Sequence, residues 1–321
     1  MDDIFNGMED TGMKVLFCSD PLNNKAVDQE YEQEYKYARK LGMDVYLISL
    51  ESVLVGELAQ AVKQVPTFEI PERFIYRGWM IKPHDYDQLY LALERKNAVL
   101  INSPSEYRNG HYFPYSYEVI KKVTPHSIWF EIGELANGFD DLFEKIRIFE
   151  NKPVIVKDYV KSRKHEWEDA CYIPDASDKQ RVQKVIQTFI DRQATELNGG
   201  IVIREYIQLE QLSKHPKSGM PLSNEYRLFF LHHKLVQCMG YWDEAVYQQG
   251  IPELDSFIEL AKGISSQFFT MDIAKTTSGE WTVIEIGDGQ VSGLPSHADL
   301  DHYYKSILEI EVNKEEGGMT T

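Results

Sequence analysis

Cysteine is scarce in this chain. Cys18, Cys171 and Cys238 are the only three among 321 residues, and their wide spacing does not indicate a disulfide framework. No C-x-x-C pair is present, so the sequence does not predict a structural zinc site. Such sparse cysteine is typical of proteins kept in a reducing compartment, and we therefore expect a cytoplasmic protein.

Several other signals are also missing. No apolar run approaches the length of a membrane span, and the N-terminus lacks the basic-then-apolar order of a secretion signal. We find no internal repeat and no G-x-G-x-x-G motif, so the sequence does not indicate a dinucleotide site. Basic residues are the minority, 34 against 51 acidic ones, which gives a net charge of −17. A surface this acidic repels phosphate backbones, so nucleic acid is not a favoured partner unless a local basic patch binds it.

The first third of the chain alternates short apolar runs with helical patterns. Strands are predicted at residues 13–18, 44–48, 73–77 and 98–102, and helices at 28–41 and 85–96. Strand–helix–strand in this spacing predicts a parallel sheet. We expect an α/β domain over residues 13–104, preceded by a loose leader at 1–12 and followed by a connection at 105–125 that holds a helix near 115–122.

The rest of the chain has a different organisation, because its predicted strands tend to follow one another as hairpins. This order predicts an α+β unit with mainly antiparallel sheets. The predicted strands are 127–130, 153–157, 201–205, 225–231, 235–241, 268–275 and 281–287, and the predicted helices are 139–149, 178–193 and 252–263. His232-His233 lies between two of these strands and indicates a turn. Residues 311–321 are expected to form a frayed tail.

The last two predicted strands each carry an acid among apolar residues. Ser278-Gly279 is a turn signal, and a two-residue loop there pairs Asp272 with Glu285. Directly opposed residues point to one face of a sheet, so this register brings two carboxylates together. Their repulsion must be offset by a shared proton or a bound cation. Magnesium combines carboxylates of this kind with substrate phosphates, and Asp288, just past the strand, is a candidate third ligand.

This register depends on the length of the loop. The same two-residue loop pairs Thr277 with Glu280 and Ala274 with Val283, and a one-residue change would send the two acids to opposite faces. The alternative is a solvated strand end with unrelated charges. We consider it weaker, because both acids lie inside apolar runs.

Three more strands carry charged residues with two possible meanings each. Lys157 ends an apolar strand, where it either meets a phosphate or caps an edge strand, and the second is the commoner use. Glu205 ends another strand, either at an adenine edge or simply at the surface. Alternation places Glu225 and Arg227 on one face, as a structural ion pair or as a phosphate clamp beside a ribose acceptor.

A basic stretch follows Lys157. Four of the eight residues from 157 to 164 are Lys or Arg, which creates a local positive field in an acidic chain. Such a stretch is either a mobile lid over a triphosphate or a solvated run of charges, which is the usual meaning.

In this order and spacing, the motifs resemble the ATP-grasp superfamily over about residues 125–295. The basic stretch, where many relatives have a glycine-rich loop, is similar to the divergent clade of phage and bacterial ATP-grasp proteins, which are mostly peptide or other carboxylate–amine ligases. The resemblance implies an α/β pre-ATP-grasp, Rossmann-like domain followed by an α+β ATP-grasp fold with largely antiparallel sheets. Its lid subdomain is expected at 126–207 and its metal-binding subdomain at 208–310.

The resemblance also implies the ligands, ATP and Mg²⁺, and a role for each motif residue. Lys157 is expected on the α- and β-phosphates, and Glu225 near the ribose. Arg227 and Lys164 are the expected catalytic residues. The remaining roles are adenine binding by Glu205 with the backbone of Tyr206 and Ile207, and metal binding by Asp272, Glu285 and Asp288.

Two departures from the family pattern are visible. Many relatives place a metal-binding Asn two residues after the last glutamate, where this chain has Gly287 followed by Asp288. No residue clearly matches the family's first lysine, although Arg108 and His111 lie in about the right region.

We therefore expect a ligase that activates a carboxylate as an acyl-phosphate and joins it to an amine or another nucleophile, releasing ADP and phosphate. The acceptor is a small molecule, a peptide or the end of a macromolecule, and no membrane partner is expected. The alternatives are an ATP-dependent phosphotransferase, a ligase of RNA or protein ends on the same fold, and a non-catalytic nucleotide-binding module.

Overall fold

The N-terminal part of the protein is built on a parallel sheet. The structure, a computed structural model, describes residues 12–217, 219–247 and 250–318. Four strands pair in the order β2-β1-β3-β4, all in parallel, which confirms the predicted parallel sheet. That this unit is a Rossmann-like pre-ATP-grasp domain stays a prediction. The strands are β1 (Met13–Cys18), β2 (Val45–Ile48), β3 (Glu72–Arg77) and β4 (Ala98–Leu100).

Helices cover both faces of this sheet. Val15 and Phe17 of β1 pack with Ala38 on one face, and the alternate residues Leu16 and Cys18 pack in a second core on the other. The helices of this region are α1 (Glu32–Lys40), α2 (Leu50–Leu54), α3 (Leu58–Ala61), α4 (Pro83–Glu94), α5 (Pro104–His111) and α6 (Phe113–Ile120).

The predicted connection at 105–125 is mostly helical, with α5 and α6 in place of one short helix. Pro104 occupies the first turn of α5, where a helix needs no backbone N–H donor. Ser103 and Glu106 form a reciprocal capping box at the same end. The prolines that we interpreted as loop signals are therefore helix starts.

The middle of the chain forms an antiparallel sheet in the order β5-β8-β6-β7. Its strands are β5 (Ser127–Glu131), β6 (Val154–Asp158), β7 (Tyr172–Ile173) and β8 (Gly200–Glu205), and its helices are α7 (Asp140–Ile146), α8 (Trp167–Ala170) and α9 (Lys179–Gln193). Val182, Val185, Ile186 and Phe189 of α9 share a core with Val154, Val156, Ile201 and Ile203. The alternate residues of β6 and β8 therefore face the rest of the protein.

The C-terminal part contains two more antiparallel sheets, one of them β12-β11-β13-β14 and the other β9-β10, as predicted for this half. The strands are β9 (Gln211–Lys214), β10 (Pro221–Ser223), β11 (Glu225–Leu231), β12 (Lys234–Gly240), β13 (Phe268–Lys275) and β14 (Trp281–Asp288), and the helices are α10 (Asp255–Ala261) and α11 (Leu300–Gly318). His232 and His233 make the turn between β11 and β12 with φ of 48° and 62°.

The hairpin of β13 and β14 pairs Asp272 with Glu285, as predicted, but by a different route. Thr276 N–H donates to the Glu280 carbonyl, so the loop has three residues and Thr277 does not pair with Glu280. Next to this longer loop Ala274 pairs with Thr282 instead of Val283, and a bulge between Asp272 and Ile273 then restores the register. Two one-residue errors in the prediction cancel at the acids.

Arg204 holds this bulge in place from the neighbouring sheet. It is buried in β8, on the face opposite α9. Its guanidinium donates to the carbonyls of Ile284 (2.5 Å) and Val283 (3.0 Å) and to the hydroxyl of Thr124 (2.6 Å). Burial lowers the pKa of Arg204 to about 10. The register at the acids therefore depends on an arginine from another sheet.

The end of the chain differs from the predicted frayed tail, because α11 continues through residues 311–318. Glu311 is buried in it and pairs with Arg73 (3.2 Å) and His232 (2.5 Å), which ties the helix to the body of the protein. Residues 319–321 of that tail, and residues 1–11 of the expected leader, lie outside the described residues. Within the described ranges, none of the helices has the length and apolar character needed to cross a membrane.

We predict that Arg204→Met destabilises the protein by about 2 kcal/mol or more, because it removes the buried donor to the Ile284 carbonyl. Urea unfolding followed by circular dichroism measures this loss. The exposed Arg147, which pairs with Glu144 at the surface, supplies the matched control. Arg147→Met should cost less than about 0.5 kcal/mol, and equal losses in both variants would contradict the anchoring role of Arg204.

Candidate active site

The opposed carboxylates Asp272 and Glu285 are each paired with a basic side chain from another strand. Arg227 donates to both oxygens of Asp272, through Nε and Nη2, at 2.8 Å each. Lys157 Nζ lies 2.6 Å from Glu285 Oε1. The repulsion between the two acids is therefore offset by two protein cations, a solution that the sequence analysis did not consider.

Strand pairing explains how these four residues meet. Arg227 of β11 lies directly opposite Asp272 of β13, which in turn lies opposite Glu285 of β14. Lys157 comes from β6 of the middle sheet, on the face that looks away from α9. The Lys157–Glu285 pair is thus a contact between two subdomains, and it is mostly buried on the lysine side.

Glu225 lies on the same face of β11 as Arg227, as the alternation predicted. It is 4 % exposed and accepts a hydrogen bond from Ser223 Oγ at 2.8 Å. Burial raises the pKa of Glu225 to about 7, and the nearby charge of Asp272 acts in the same direction, while Lys164 opposes it. The group therefore changes its charge close to neutral pH.

The charge of Lys164 acts on both Glu225 and Glu285. Burial raises the pKa of Glu285, but Lys157, and after it Lys164 and Arg227, outweigh burial and leave that pKa below its ordinary value. Lys164 itself is exposed. The structure therefore brings the predicted catalytic pair, Arg227 and Lys164, to the same two acids.

The basic stretch begins as a tight turn rather than a long loop. The Asp158 carboxylate accepts hydrogen bonds from the N–H groups of Val160 (2.7 Å), Lys161 (2.5 Å) and Asn198 (3.0 Å). Further along, Arg163 pairs with Glu166 and donates to Gln193 Oε1 at 2.8 Å. Both ends of the stretch are therefore fastened to the middle sheet and its helix.

The predicted adenine residues lie at the end of β8, away from the paired acids. Glu205 is opposite Val154, on the α9 face, while Lys157 is on the other face. Its carboxylate pairs instead with Lys152 at 2.8 Å. The structure thus does not bring the Glu205 side chain to Lys157, because strand alternation sends them to opposite faces.

Tyr206 belongs to an aromatic cluster beside Glu205. Trp167 stacks on Tyr172 with ring centroids 5.0 Å apart, and Tyr206 meets both rings edge-on at 5.6 and 5.2 Å. The Tyr206 N–H donates to the Pro153 carbonyl at 2.9 Å. The next residue, Ile207, is half-buried. Their adenine role stays a prediction.

Asp288 does not join the other acids, contrary to its predicted role as a third metal ligand. It lies three residues after Glu285 and its side chain points to the other face of β14. There it accepts hydrogen bonds from Asn102 Nδ2 (2.6 Å) and from the backbone and side chain of Gln290 (2.9 and 3.3 Å). Burial raises the pKa of Asp288 to about 7.

The sequence analysis missed two residues next to the paired charges. Arg204 interacts with Glu285, and both Arg204 and Lys157 lie over the ring of Phe113, at 5.4 and 5.8 Å. An arginine inside an otherwise apolar strand is the signal that could have identified Arg204. His111 is buried close to Glu285 and Lys157, and burial lowers its pKa to about 4, whereas Arg108 pairs with Asp87.

Two cavities of about 430 and 410 Å³ in the described part lie elsewhere. The first is lined by Trp129, Glu131, Glu134, Lys145 and Tyr159, and the second runs beside β12 and α11. Neither is lined by the four paired residues, which fits with their ion pairs filling the space between the two sheets.

The family follows from the sequence around these residues. A family model for an ATP-grasp domain, the third family of one clade within that superfamily, matches residues 147–307, a range that contains both ion pairs. The chain belongs to this ATP-grasp family. No curated protein sequence matches it.

Solved structures of ATP-grasp ligases share the fold of this ATP-grasp protein. D-cycloserine synthetase DcsG is 12 % identical and has a TM-score of 0.56, with 93 % of this chain and 99 % of that chain covered. The ligase PsnB, solved with a minimal precursor, Mg and ADP, is 12 % identical with a TM-score of 0.52 and covers 95 % and 100 %.

The D-alanine–D-alanine ligase of Bacillus anthracis, solved with ATP, is 14 % identical with a TM-score of 0.54 and covers 95 % and 98 %. Such low identities are informative about fold alone, and they confirm the expected ATP-grasp fold.

We predict that Glu225→Gln stabilises the protein at pH 8 relative to pH 5, compared with the wild type. The pKa of Glu225 is raised in the folded state, so its contribution to stability is present at low pH and is lost as the pH rises from about 4.5 to about 7. The variant should escape a loss of roughly 2 kcal/mol over this interval. Urea unfolding at both pH values measures it, with the exposed Glu280→Gln as control. If the Glu225→Gln and Glu280→Gln curves shift alike, burial does not perturb Glu225.

Proposed function

We propose that this protein is an ATP- and Mg²⁺-dependent ligase that activates a carboxylate as an acyl-phosphate and joins it to an amine or another nucleophile. The products would be ADP, phosphate and the joined molecule. The proposal depends above all on the register of Asp272 and Glu285, which places two carboxylates side by side in the ATP-grasp domain, each held by a cation.

The donor set suits Mg²⁺. Magnesium prefers oxygen ligands and is usually held by one or two carboxylates together with substrate phosphates and water. Across the described residues, no group of three or more His, Cys, Asp or Glu side chains is close enough to hold a metal ion by itself. The pair Asp272 and Glu285 therefore suits a metal that arrives with a nucleotide. When bound, the ion would neutralise phosphate charge.

The two ion pairs explain how the site can stay stable without ligand and still bind one. A nucleotide with its metal carries both signs of charge. Lys157 and Arg227 can exchange their carboxylates for phosphate oxygens, while Asp272 and Glu285 exchange their cations for the metal. Each group keeps an opposite charge, so the exchange leaves no buried charge unpaired.

The other roles implied by the family are part of this proposal. Glu225 would accept hydrogen bonds from the ribose, and Glu205, with the backbone of Tyr206 and Ile207, would bind the adenine after leaving Lys152. Lys164 would bring positive charge to the phosphates from the basic stretch. These residues position and stabilise the reacting groups, which is the main contribution that a protein makes to phosphoryl transfer.

We propose an amino acid or a peptide as the acceptor class. Among the similar structures, PsnB has been solved with a precursor peptide, and another is a D-alanine–D-alanine ligase. The N-terminal unit would then be the Rossmann-like pre-ATP-grasp domain over residues 13–104, before lid and metal-binding subdomains at 126–207 and 208–310. The cytoplasm is the proposed location, since its amines, ATP and magnesium are all required.

We predict that Asp272→Asn and Glu285→Gln each abolish ATP turnover and leave the protein folded. Each change removes one negative charge that would bind the metal. Release of ADP measures turnover, and circular dichroism measures folding. Glu280→Gln, in the exposed loop of the same hairpin, should retain turnover. Normal turnover in both Asp272→Asn and Glu285→Gln would show that these acids are not the metal site.

We also predict that turnover with the correct acceptor produces one ADP and one phosphate for each amide formed. A panel of amino acids and short peptides, analysed by mass spectrometry, identifies the acceptor. AMP among the products would show adenylation instead of an acyl-phosphate. A stable phosphorylated product would show a phosphotransferase.

A further inference from the structure

A second buried ion pair lies in the N-terminal part, at the end of β3. Arg77 is completely buried. Its Nε and Nη2 donate to the two carboxylate oxygens of Glu34 in α1, at 2.7 and 2.9 Å. Tyr304 of α11 adds a hydrogen bond from its hydroxyl to Glu34 at 2.8 Å. Glu34 therefore fixes the plane and direction of the guanidinium.

The remaining guanidinium nitrogen of Arg77 points to a different part of the chain. Nη1 donates to the carbonyls of Gly289 (2.6 Å), Ser292 (3.0 Å) and Gln290 (3.3 Å). These three residues belong to the segment 289–293, which directly follows β14. One side chain thus holds the backbone of the segment that leaves the strand of Glu285.

The same segment also touches the paired acids. The carbonyl of Gly293 accepts a hydrogen bond from Arg227 Nη1 at 3.0 Å. The two other nitrogens of Arg227 hold Asp272. The contacts therefore run without a gap from Glu34 and Arg77, through segment 289–293 and Arg227, to Asp272.

We infer that Arg77 is a positioning residue: oriented by Glu34, it sets the conformation of segment 289–293 and, through the Gly293 carbonyl, the direction in which Arg227 meets Asp272. This inference rests on the proposed function, because it assigns Arg77 to the site that would hold the metal and the phosphates. Burying an ion pair gives little stability compared with apolar side chains of the same volume. Fixed geometry is the advantage that an arginine fork offers here, since it can bind a carboxylate and carbonyls at once.

The chain contains a matched control on the same strand. Arg73, also in β3, pairs with Glu311 of α11 at 3.2 Å, and so joins the same two elements of the protein. Its side chain contacts Glu311 and His232, and neither of these residues belongs to segment 289–293. A substitution at Arg73 therefore tests a loss of packing alone.

The experiment measures Mg²⁺-dependent binding of AMPPNP by calorimetry in Arg77→Lys, Glu34→Gln and Arg73→Lys, at a temperature where circular dichroism shows each protein folded. Arg77→Lys keeps the charge but loses the fork. It should weaken binding about 10-fold and raise the Mg²⁺ concentration for half-maximal binding, as the loss of a partner that orients a ligand does. Glu34→Gln should shift the same quantities in the same direction. Arg73→Lys should lower the melting temperature and leave binding within about 2-fold of the wild type.

A double substitution tests the route through Arg227. If Arg77 acts through that side chain, Arg77→Lys should add less than about 2-fold to the effect of Arg227→Lys, because the two changes interrupt one pathway. Fully additive effects, or equal weakening in Arg77→Lys and Arg73→Lys, would overturn the positioning role and leave the proposed function standing. Failure of the wild type to bind AMPPNP with Mg²⁺ would overturn both.

Discussion

Two carboxylates directly opposite each other on neighbouring strands require positive charge beside them. Asp272 and Glu285 stand in this position, buried or half-buried, where a carboxylate without a partner costs several kcal/mol. In this protein the charge comes from Arg227 and Lys157, which belong to two different sheets. Balancing these two acids therefore brings the middle and C-terminal sheets together, and it defines the place where a nucleotide and its metal can replace the protein's own cations.

The same balance places strict requirements on the backbone. A slip of one residue in the hairpin would turn one acid to the opposite face and leave it without its cation. The bulge beside Asp272 prevents this, and Arg204 holds the bulge by donating to the Ile284 carbonyl. Arg204 therefore acts on the site through the backbone, although it belongs to the same face of the middle sheet as Lys157.

The N-terminal part contributes to the same geometry from the other side. Its buried pair of Glu34 and Arg77 holds the segment after β14, and Asn102 holds Asp288 at the end of that strand. The terminal helix α11 packs against both the N-terminal and the C-terminal parts through Tyr304 and Glu311. A ligase of this kind must hold three units at fixed distances, and buried polar contacts at their junctions are suited to that purpose.

The sequence by itself determined the strands, their apolar faces and the charged residues on them, because these depend on local alternation. It therefore predicted β11 and β13 to the residue, the shared face of Glu225 and Arg227, and the opposition of Asp272 and Glu285. Only the tertiary structure decided which charge meets which. The loop length, the bulge and the partners of Asp272 and Glu285 depend on contacts between residues far apart in the chain. Asp288 and Glu205 point away from the site for the same reason, since the face that a residue at a strand end takes is set by the neighbouring strand and not by its own sequence.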